Sequence, residues 1–161
     1  MLAENHTTVI NPDELAKRAP PGANALIWSG REVHGIIADM IGTNSSFLVE
    51  TTLSGRNHFR TVELARTAGF FIALHFVFVS NVQKSKKRVS LRVSAGGHDV
   101  PEVDQERRFG KSLSNLATLL PLTDEAFVYC NDFDLGHECI AEYLRGRCIR
   151  CEPTAPDWLP R

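Results

Sequence analysis

Two carboxylates lie at or just after the ends of short segments that favour β-strands. Asp13 follows Thr8–Ile10 through an Asn-Pro turn, and Glu50 lies near the end of the apolar segment Phe47–Thr51, which Thr52 follows. A carboxylate in such a place can accept a proton from a substrate hydroxyl or orient that hydroxyl by a hydrogen bond. Asp13 is equally well explained as an acid that the dipole of a helix N-terminus favours.

Basic residues form the second chemically promising group, on both sides of a Gly-Gly pair. Arginine matches phosphate oxygens with its planar fork, so two basic helix faces joined by glycines predict a lid, at about 84–111, that closes on a polyphosphate. An ordinary solvated helix pair is the alternative. The group comprises Lys84, Lys86, Lys87, Arg88 and Arg92 before Gly96-Gly97, and Arg107, Arg108 and Lys111 after it.

The tetrapeptide Phe109–Ser112 contains Gly-Lys-Ser, the end of the phosphate-binding loop G-x-x-x-x-G-K-[ST]. The position five residues before Gly110 is Gln105 rather than glycine, and it lies within a predicted helix. The 161 residues therefore contain no such loop.

The cysteines do not match a metal-binding pattern. Cys148 and Cys151 form a C-x-x-C pair, but Cys130 and Cys139 do not form the second pair that a zinc ribbon needs. The C-x-x-C pair also lies on a predicted strand, whereas thioredoxin-like motifs open a helix. We expect four free thiols and no metal site. His75, inside a long apolar segment, is expected to be a core residue.

The composition is that of one ordinary globular domain: 161 residues, 43% hydrophobic and 23% charged. The 18 basic and 19 acidic residues nearly balance, which argues against a dedicated nucleic-acid or polybasic membrane binder. The longest apolar segment, 70–79, is far shorter than the about 20 residues that cross a bilayer. The first residues lack the features of a signal peptide. We expect a single cytoplasmic domain, 1–161, with neither nucleic acid nor membrane as partner.

Hydrophobic patterning predicts the elements that position these residues. Strands at 8–10, 47–51, 70–79 and 126–130 are interspersed with helices at 25–40, 55–69, 81–95 and 104–120. Segment 70–79 shows no alternation, which predicts a strand buried on both faces of a parallel sheet. Residues 138–143 and 147–151 predict a hairpin within a terminal region of about 132–161. The fold class is α/β: a three-layer, mostly parallel sheet flanked by helices, with a small C-terminal β-hairpin.

Five sequence segments, taken together, resemble the zeta-toxin-like P-loop kinases. Each segment alone is a weak signal, but the combination of Asn-Pro-Asp, Glu-Thr-Thr and Gly-Gly-His-Asp-Val-Pro is specific, and the resemblance runs from Thr8 to Leu159. The segments are Ile10–Ala16, Phe47–Arg56, Arg92-Val93 with Gly96–Pro101, Lys111–Leu116 and Phe127–Asn131.

The resemblance implies an ATP- and Mg²⁺-dependent kinase that phosphorylates a hydroxyl of a small molecule. Toxin members of the family act on the nucleotide sugar UDP-N-acetylglucosamine. The resemblance to toxins also implies a protein antitoxin as partner. Asp13 would be the general base. The acceptor would be held by Glu50, Thr51, Thr52 and Arg56. Charge on the transferring phosphates would be neutralised by Arg88, Arg92, Arg107 and Arg108, because positioning and charge stabilisation do most of the work in phosphoryl transfer.

The family also has a first strand and a Walker A loop before the Asn-Pro-Asp segment, and here Asn11 comes ten residues after Met1. That loop holds the β- and γ-phosphates and Mg²⁺. Because the missing strand lies mid-sheet, we expect either a break or a rearranged pairing between the Glu50 strand and strand 70–79. Three explanations stay open: a start codon assigned too late, a truncated remnant, or a chain that supplies only the acceptor site.

Two other functions compete with the kinase. A non-catalytic binding module, or pseudokinase, is favoured by the absent phosphate loop. A polynucleotide kinase would need a basic, aromatic-lined channel at the acceptor end. Near Glu50 the basic residues are Arg56 and His58, so we rank this function third.

Overall fold

The computed structural model of the protein describes residues 7–97, 99–133 and 136–161. These residues form a mixed α/β structure with two sheets and five α-helices. The chain divides into two compact units, an N-terminal unit, Met1–Thr51, and a C-terminal unit, Thr52–Arg161. His98 of the predicted Gly-Gly-His-Asp-Val-Pro loop lies outside the described residues, as do residues 134 and 135 of the predicted terminal region.

The N-terminal unit contains a parallel strand pair and two helices. Its elements are β1 (Thr8–Ile10), α1 (Pro12–Ala16), α2 (Ala25–Gly42) and β2 (Phe47–Val49). β1 and β2 pair in parallel, with Thr8 opposite Phe47 and Ile10 opposite Val49. The predicted strand at 8–10 and the helix at 25–40 are thereby confirmed, with α2 two residues longer. The strand predicted at 47–51 is shorter and ends at Val49. Among residues 7–51, two aliphatic side chains are buried, Ile10 and Ile37.

The C-terminal unit is a four-stranded sheet with helices. Its elements are α3 (Asn57–Thr67), β3 (Ala73–Phe78), α4 (Val82–Ser94), α5 (Glu102–Leu119), a 3-10 turn (Leu120–Leu122), β4 (Glu125–Phe133), β5 (Gly136–Leu144) and β6 (Arg147–Cys151). The strand order is β3-β4-β5-β6; β3 pairs with β4 in parallel, and the other pairs are antiparallel. Leu116 and Leu119 of α5 pack with the sheet residues Phe76, Val128 and Tyr143 in one continuous core.

The prediction that segment 70–79 is a strand buried on both faces is wrong. β3 covers only Ala73–Phe78, and its residues alternate, with Phe76 and Phe78 buried and Val77 52% exposed. The physical reason is that only one face of β3, the side that carries Phe76 and Phe78, packs against the core cluster. An apolar run without alternation does not reveal that one of its faces is open.

The expected burial of His75 is wrong for the same reason, since His75 lies on the open face of β3. Its ring stacks on Phe127 with centroids 5.1 Å apart. His75 Nδ1 also lies 3.2 Å from the hydroxyl of Tyr129. The histidine therefore belongs to an exposed aromatic row rather than to the core.

The predicted C-terminal hairpin is confirmed as β5 and β6. Its turn consists of Arg145 and Gly146, which have φ values of 49° and 74°. Positive φ at both residues is what a two-residue hairpin turn with the right-handed strand twist requires. A side chain at Gly146 would also meet the backbone of Pro121 at 2.7 Å.

The predicted lid region forms the two helices α4 and α5. Gly96 has a φ of 88°, and Gly97 donates its N–H to the carbonyl of Arg92 at 2.8 Å, which closes the end of α4. A Cβ at Gly97 would lie 2.6 Å from Cγ of Arg92. Both glycines are therefore required by the local backbone.

β2 and β3 belong to different sheets. Of the two outcomes expected for this position, a break and a rearranged pairing, the structure has the break. The three-layer arrangement and the single domain stay predictions. Among the described residues, no helix has the length and apolar character that a membrane span needs.

Candidate functional site

The corner after β1 is organised by Asn11. Its side-chain Oδ1 accepts hydrogen bonds from the backbone N–H groups of Asp13 and Glu14, at 2.9 and 3.1 Å, and so caps α1. Its Nδ2 donates to Oε2 of Glu50. The parallel register makes this possible, because Asn11 and Glu50 are the residues that follow the paired ends Ile10 and Val49.

A cleft of about 400 Å³ opens at this corner. Glu50 and Asn11 form part of its polar lining, and Arg18 contributes a guanidinium. The nearby carboxylate of Glu14 is engaged by Lys17 at 2.6 Å, and the hydrogen bond and charge of Lys17 lower the pKa of Glu14. The full lining is Thr8, Val9, Ile10, Asn11, Glu14, Leu15, Arg18, Ile36 and Glu50. A carboxylate held by an uncharged amide can still accept a hydrogen bond from a ligand hydroxyl.

Asp13 and Thr51 lie near this cleft in sequence but do not line it. Asp13 occupies the first turn of α1 and is exposed, and in the described part of the chain no cation lies within ion-pair distance of it. Thr51 is exposed and is the last residue of the N-terminal unit. Of the predicted acceptor residues, only Glu50 therefore lines the cleft.

Thr52 and Arg56 begin the C-terminal unit, in a segment fastened by Asn115. Nδ2 of Asn115 donates to the carbonyls of Leu53 and Gly55, at 2.8 and 3.0 Å. Thr52 is exposed, and its hydroxyl lies 2.8 Å from that of Ser54. Arg56 is the exposed residue before α3.

A second corner, after β3, is organised around Asp132. Oδ1 of Asp132 accepts a hydrogen bond from the backbone N–H of Ser80 at 3.0 Å, and Oδ2 accepts one from Nζ of Lys84 at 2.9 Å. Partial burial would raise the pKa of Asp132, but the hydrogen bonds from Ser80 and Lys84 and the charge of Lys84 outweigh it and lower the pKa to about 2. Asn81 caps α4 here by accepting the N–H of Lys84 at 2.9 Å.

A cleft of about 370 Å³ lies beside this carboxylate. It is lined by Phe78, Ser80, Lys84, Cys130, Asp132, Ile140, Thr154 and Pro156. On the next turn of α4, Arg88 donates to the carbonyl of Asn131. The end of β4 thereby fixes two of the predicted basic residues, Lys84 and Arg88, at the carboxyl end of the parallel β3–β4 pair.

The other predicted phosphate-binding arginines are exposed on α4 and α5. Arg92 lies one turn after Arg88 on α4. Arg107 is paired with Asp104 of its own helix at 2.8 Å, and Arg108 is exposed beside it. Lys86 bridges from α4 to Glu102 and Glu106 of α5, at 2.8 Å each. The helix pair is therefore joined by contacts between opposite charges.

The sequence signal for Asp132 is weak, because a single aspartate at the end of a strand looks like any turn residue. Ser80 and Lys84 were recognisable as strand-end and basic residues, but the pairing with Asp132 spans about fifty positions of sequence. Arg18 was missed because it follows α1 without any motif. Within residues 7–97, 99–133 and 136–161, no three His, Cys, Asp or Glu side chains converge as metal ligands.

Comparison with known proteins adds two findings, while no family model matches the chain. An uncharacterized protein of Haemophilus influenzae is 30% identical over 96 residues, which covers 58% of this chain and 69% of the relative. A solved structure from the PezAT chromosomal toxin–antitoxin system of Streptococcus pneumoniae aligns with a TM-score of 0.56 at 15% identity.

That alignment covers 83% of this chain and 59% of the pneumococcal chain, so the protein spans less than two thirds of that structure. At 15% identity the likeness supports the fold alone. The similarity to the Haemophilus protein, in contrast, is one of amino-acid sequence, and it extends over 69% of that protein. The chain belongs to the same family as the uncharacterized Haemophilus influenzae protein.

Proposed function

We propose that the protein is a toxin-like phosphotransferase, which uses ATP to phosphorylate a hydroxyl of a small molecule bound at the Asn11–Glu50 corner. The observation that carries the proposal is the hydrogen bond from Asn11 to Glu50 at the carboxyl ends of two parallel strands, beside an open cleft. Ligands of open α/β sheets bind at this edge. The fold likeness to a chain of the PezAT toxin–antitoxin system supports the same function class.

Each residue of the corner has a role in the proposal. Asn11 fixes Glu50, so that the carboxylate holds the acceptor by accepting a hydrogen bond from a second hydroxyl of that molecule. Asp13, exposed in the first turn of α1, takes the proton of that hydroxyl as general base, as the family resemblance implies. UDP-N-acetylglucosamine is the first acceptor to test.

Phosphate binding is assigned to the cations of the C-terminal unit. Arg88 is held by the carbonyl of Asn131, and Arg92 follows on the same face of α4. ATP would supply the phosphoryl group and Mg²⁺ would neutralise its oxygens; the described residues present no ready set of Mg²⁺ ligands. Localisation in the cytoplasm and a protein antitoxin as partner belong to the same proposal.

The test is transfer of labelled γ-phosphate to UDP-N-acetylglucosamine, with the 161-residue chain and with a version that includes the codons upstream of Met1. Asp13→Asn should lower transfer by about 10²-fold or more, since general acid–base groups contribute about 10²–10⁴-fold. Glu50→Gln should also lower transfer, because it replaces the carboxylate that holds the acceptor. Glu32→Gln, an exposed acid on α2 of the same unit, is the matched control and should leave transfer unchanged. Equal transfer by all variants, or none by either chain, would remove the proposal.

The alternative is a binding module without catalysis. The ion pairs of Lys86 and Arg107 favour it, because these cations already face carboxylates of the same helix pair. Titration with ATP, with and without Mg²⁺, separates the two functions. Tight Mg²⁺-dependent binding supports the phosphotransferase, whereas ligand binding to the N-terminal cleft without ATP binding supports the module.

A further inference from the structure

Cys148 and Cys151 take no part in the proposed function, yet the register of the C-terminal hairpin brings them together. β5 and β6 pair Tyr143 with Cys148 and Ala141 with Cys151, and the single pair between them is Glu142 with Arg150. Ile149 is therefore an extra residue on β6, which makes a β-bulge. Residues three apart on a regular strand point to opposite faces, but this bulge places both cysteines on one face.

The bulge also shortens the distance between the two cysteines. Their partners on β5 are only two positions apart, so the cysteines are separated along the strand by about 6.6 Å, against about 10 Å on a regular strand. Disulfide-bonded cysteines have Cα atoms about 4.4–6.8 Å apart. β6 is the last strand of the sheet, so its other edge has no strand partner among the described residues that would resist a small adjustment.

Each of the two thiols donates to a nearby backbone carbonyl, Cys148 to that of Arg150 at 3.3 Å and Cys151 to that of Glu152 at 3.8 Å. Both are half-buried and pack against the core cluster. Partial burial, and then the charge and hydrogen bond of Cys151, raise the pKa of the Cys148 thiol. The other two cysteines are differently placed: Cys130 packs against the core, whereas Cys139 stands opposite Tyr129 on the open face of the sheet. Those two have no shared face.

We propose that Cys148 and Cys151 are a reversible dithiol–disulfide pair that is oxidised by exchange with a small-molecule disulfide. The thiolate of one cysteine attacks a sulfur of the small disulfide, forms a mixed disulfide and releases one small thiolate. The second cysteine loses its proton and attacks the protein sulfur of the mixed disulfide, which releases the second small thiolate. One protein dithiol and one small disulfide thus give one protein disulfide and two small thiols, which take up the two protons.

The experiment equilibrates the native full chain in buffers of oxidised and reduced glutathione, quenches with acid, alkylates the remaining thiols and maps the peptides by mass spectrometry. We expect a Cys148–Cys151 bridge, and two of the four thiols still open to alkylation. A chain with both Cys130→Ser and Cys139→Ser should form the same bridge at the same glutathione ratio. Cys151→Ser should stop at a mixed disulfide with glutathione.

Repeating the equilibration in urea tests whether the folded register matters. If the bulge aligns the thiols, the equilibrium constant for the bridge should be larger in the folded chain by about tenfold, equivalent to about 30 mV. Four free thiols in the native chain, or glutathione adducts without the bridge, would overturn the proposal. So would an equilibrium constant that is no larger in the folded chain than in urea. The mapping of the unaltered chain decides the matter even if a variant fails to fold.

Discussion

The corner after β1 and the corner after β3 are built from the same parts. Each has a parallel strand, an asparagine that caps the following helix, and a carboxylate from the end of the neighbouring strand. In the N-terminal unit these are Asn11 and Glu50. In the C-terminal unit they are Asn81 and Asp132. The same backbone arrangement therefore occurs twice, and the differences lie in the side chains.

The two carboxylates differ in their partners. Glu50 is bound by the uncharged amide of Asn11 and lines an open cleft. Asp132 is bound by the ammonium group of Lys84 and by the N–H of Ser80. Both acids line clefts, so their partners make the difference. An acid whose oxygens are engaged by a cation of the same chain serves to position that cation, whereas an acid held by an uncharged amide remains available to a ligand. This contrast is why we propose Glu50 rather than Asp132 as the carboxylate that binds the acceptor.

The support beneath the corners differs as well. The C-terminal corner adjoins a sheet whose one face carries a continuous core, with Leu116 and Val128 fully buried. In the described part of the N-terminal unit, two aliphatic side chains are buried, Ile10 and Ile37. Because core burial is the main favourable term in folding, we expect the C-terminal corner to be the more rigid of the two.

The largest expected effect tests the core that supports the C-terminal corner. Leu116→Ala should lower the free energy of unfolding of the C-terminal unit by about 2–5 kcal/mol, since a buried leucine loses both its transfer energy and its packing. Leu91→Ala, at a position 61% exposed, should change it by less than about 0.5 kcal/mol. Urea unfolding is followed by the fluorescence of Trp158 in a Trp28→Phe background, because the chain has one tryptophan in each unit. Equal losses from the two leucine variants would show that burial in this core does not stabilise the C-terminal unit.

The second prediction separates the two carboxylates by their pH dependence. A fall in the pKa of Asp132 from 3.8 to about 2 would be worth about 2 kcal/mol, reduced to about 1–2 because the head of Lys84 is half-exposed. The folded-state pKa is the lower one, so this stabilisation is present above pH 4 and disappears as the pH falls to about 2.

The substitution Asp132→Asn should therefore lower the free energy of unfolding by about 1–2 kcal/mol at neutral pH and by little near pH 2. Urea unfolding measured across that pH range checks this. Glu50→Gln is the comparison at the other corner and should lose less at neutral pH, because its partner carries no charge. A constant difference between Asp132→Asn and the unaltered chain from pH 7 to pH 2 would show that the Lys84 pair does not stabilise the fold.

Much of this layout could be predicted from local pattern. Turn chemistry at Asn11-Pro12 predicts the first corner, and alternation around Arg145-Gly146 predicts the hairpin, because both signals come from neighbouring residues. The open face of β3 could not be predicted, since its apolar run is the same whether one or both faces are covered. That information lies in which face of the sheet the helices cover.

Features that depend on contacts between distant residues, or on strand register, could not be predicted from the sequence either. Asp132 becomes part of a site only through contacts with Ser80 and Lys84, far away in sequence. The bulge at Ile149 depends on the register between β5 and β6, which the spacing of Cys148 and Cys151 does not encode. Residue types therefore indicated the candidate chemistry, while the sheet determined which residues meet.

The third prediction compares the two caps. Asn11→Ala and Asn81→Ala each remove a side-chain acceptor from a helix N-terminus, which usually costs about 0.5–2 kcal/mol. Asn11→Ala also removes the donor to Glu50, so it should lower phosphotransfer as well as stability. Asn81→Ala should lower stability, measured through Trp158, with a smaller effect on acceptor KM. If both variants changed acceptor KM equally, the assignment of the acceptor to the N-terminal corner would be wrong.

The smallest expected effect concerns Lys86, which bridges α4 to Glu102 and Glu106 of α5. The hydrogen bonds and charges of these two glutamates raise the pKa of Lys86, but the glutamate side chains are 77% and 57% exposed, so salt screens the attraction. Lys86→Met should shift the urea midpoint less than Asp132→Asn does at low salt, and the shift should disappear in 1 M salt, where the screening length is about 3 Å. Lys84→Met, which breaks the pair with the mostly buried Asp132, should keep most of its shift in the same salt. Equal salt sensitivity of the two lysine variants would mean that the Asp132 corner is no better shielded than the surface of the helix pair.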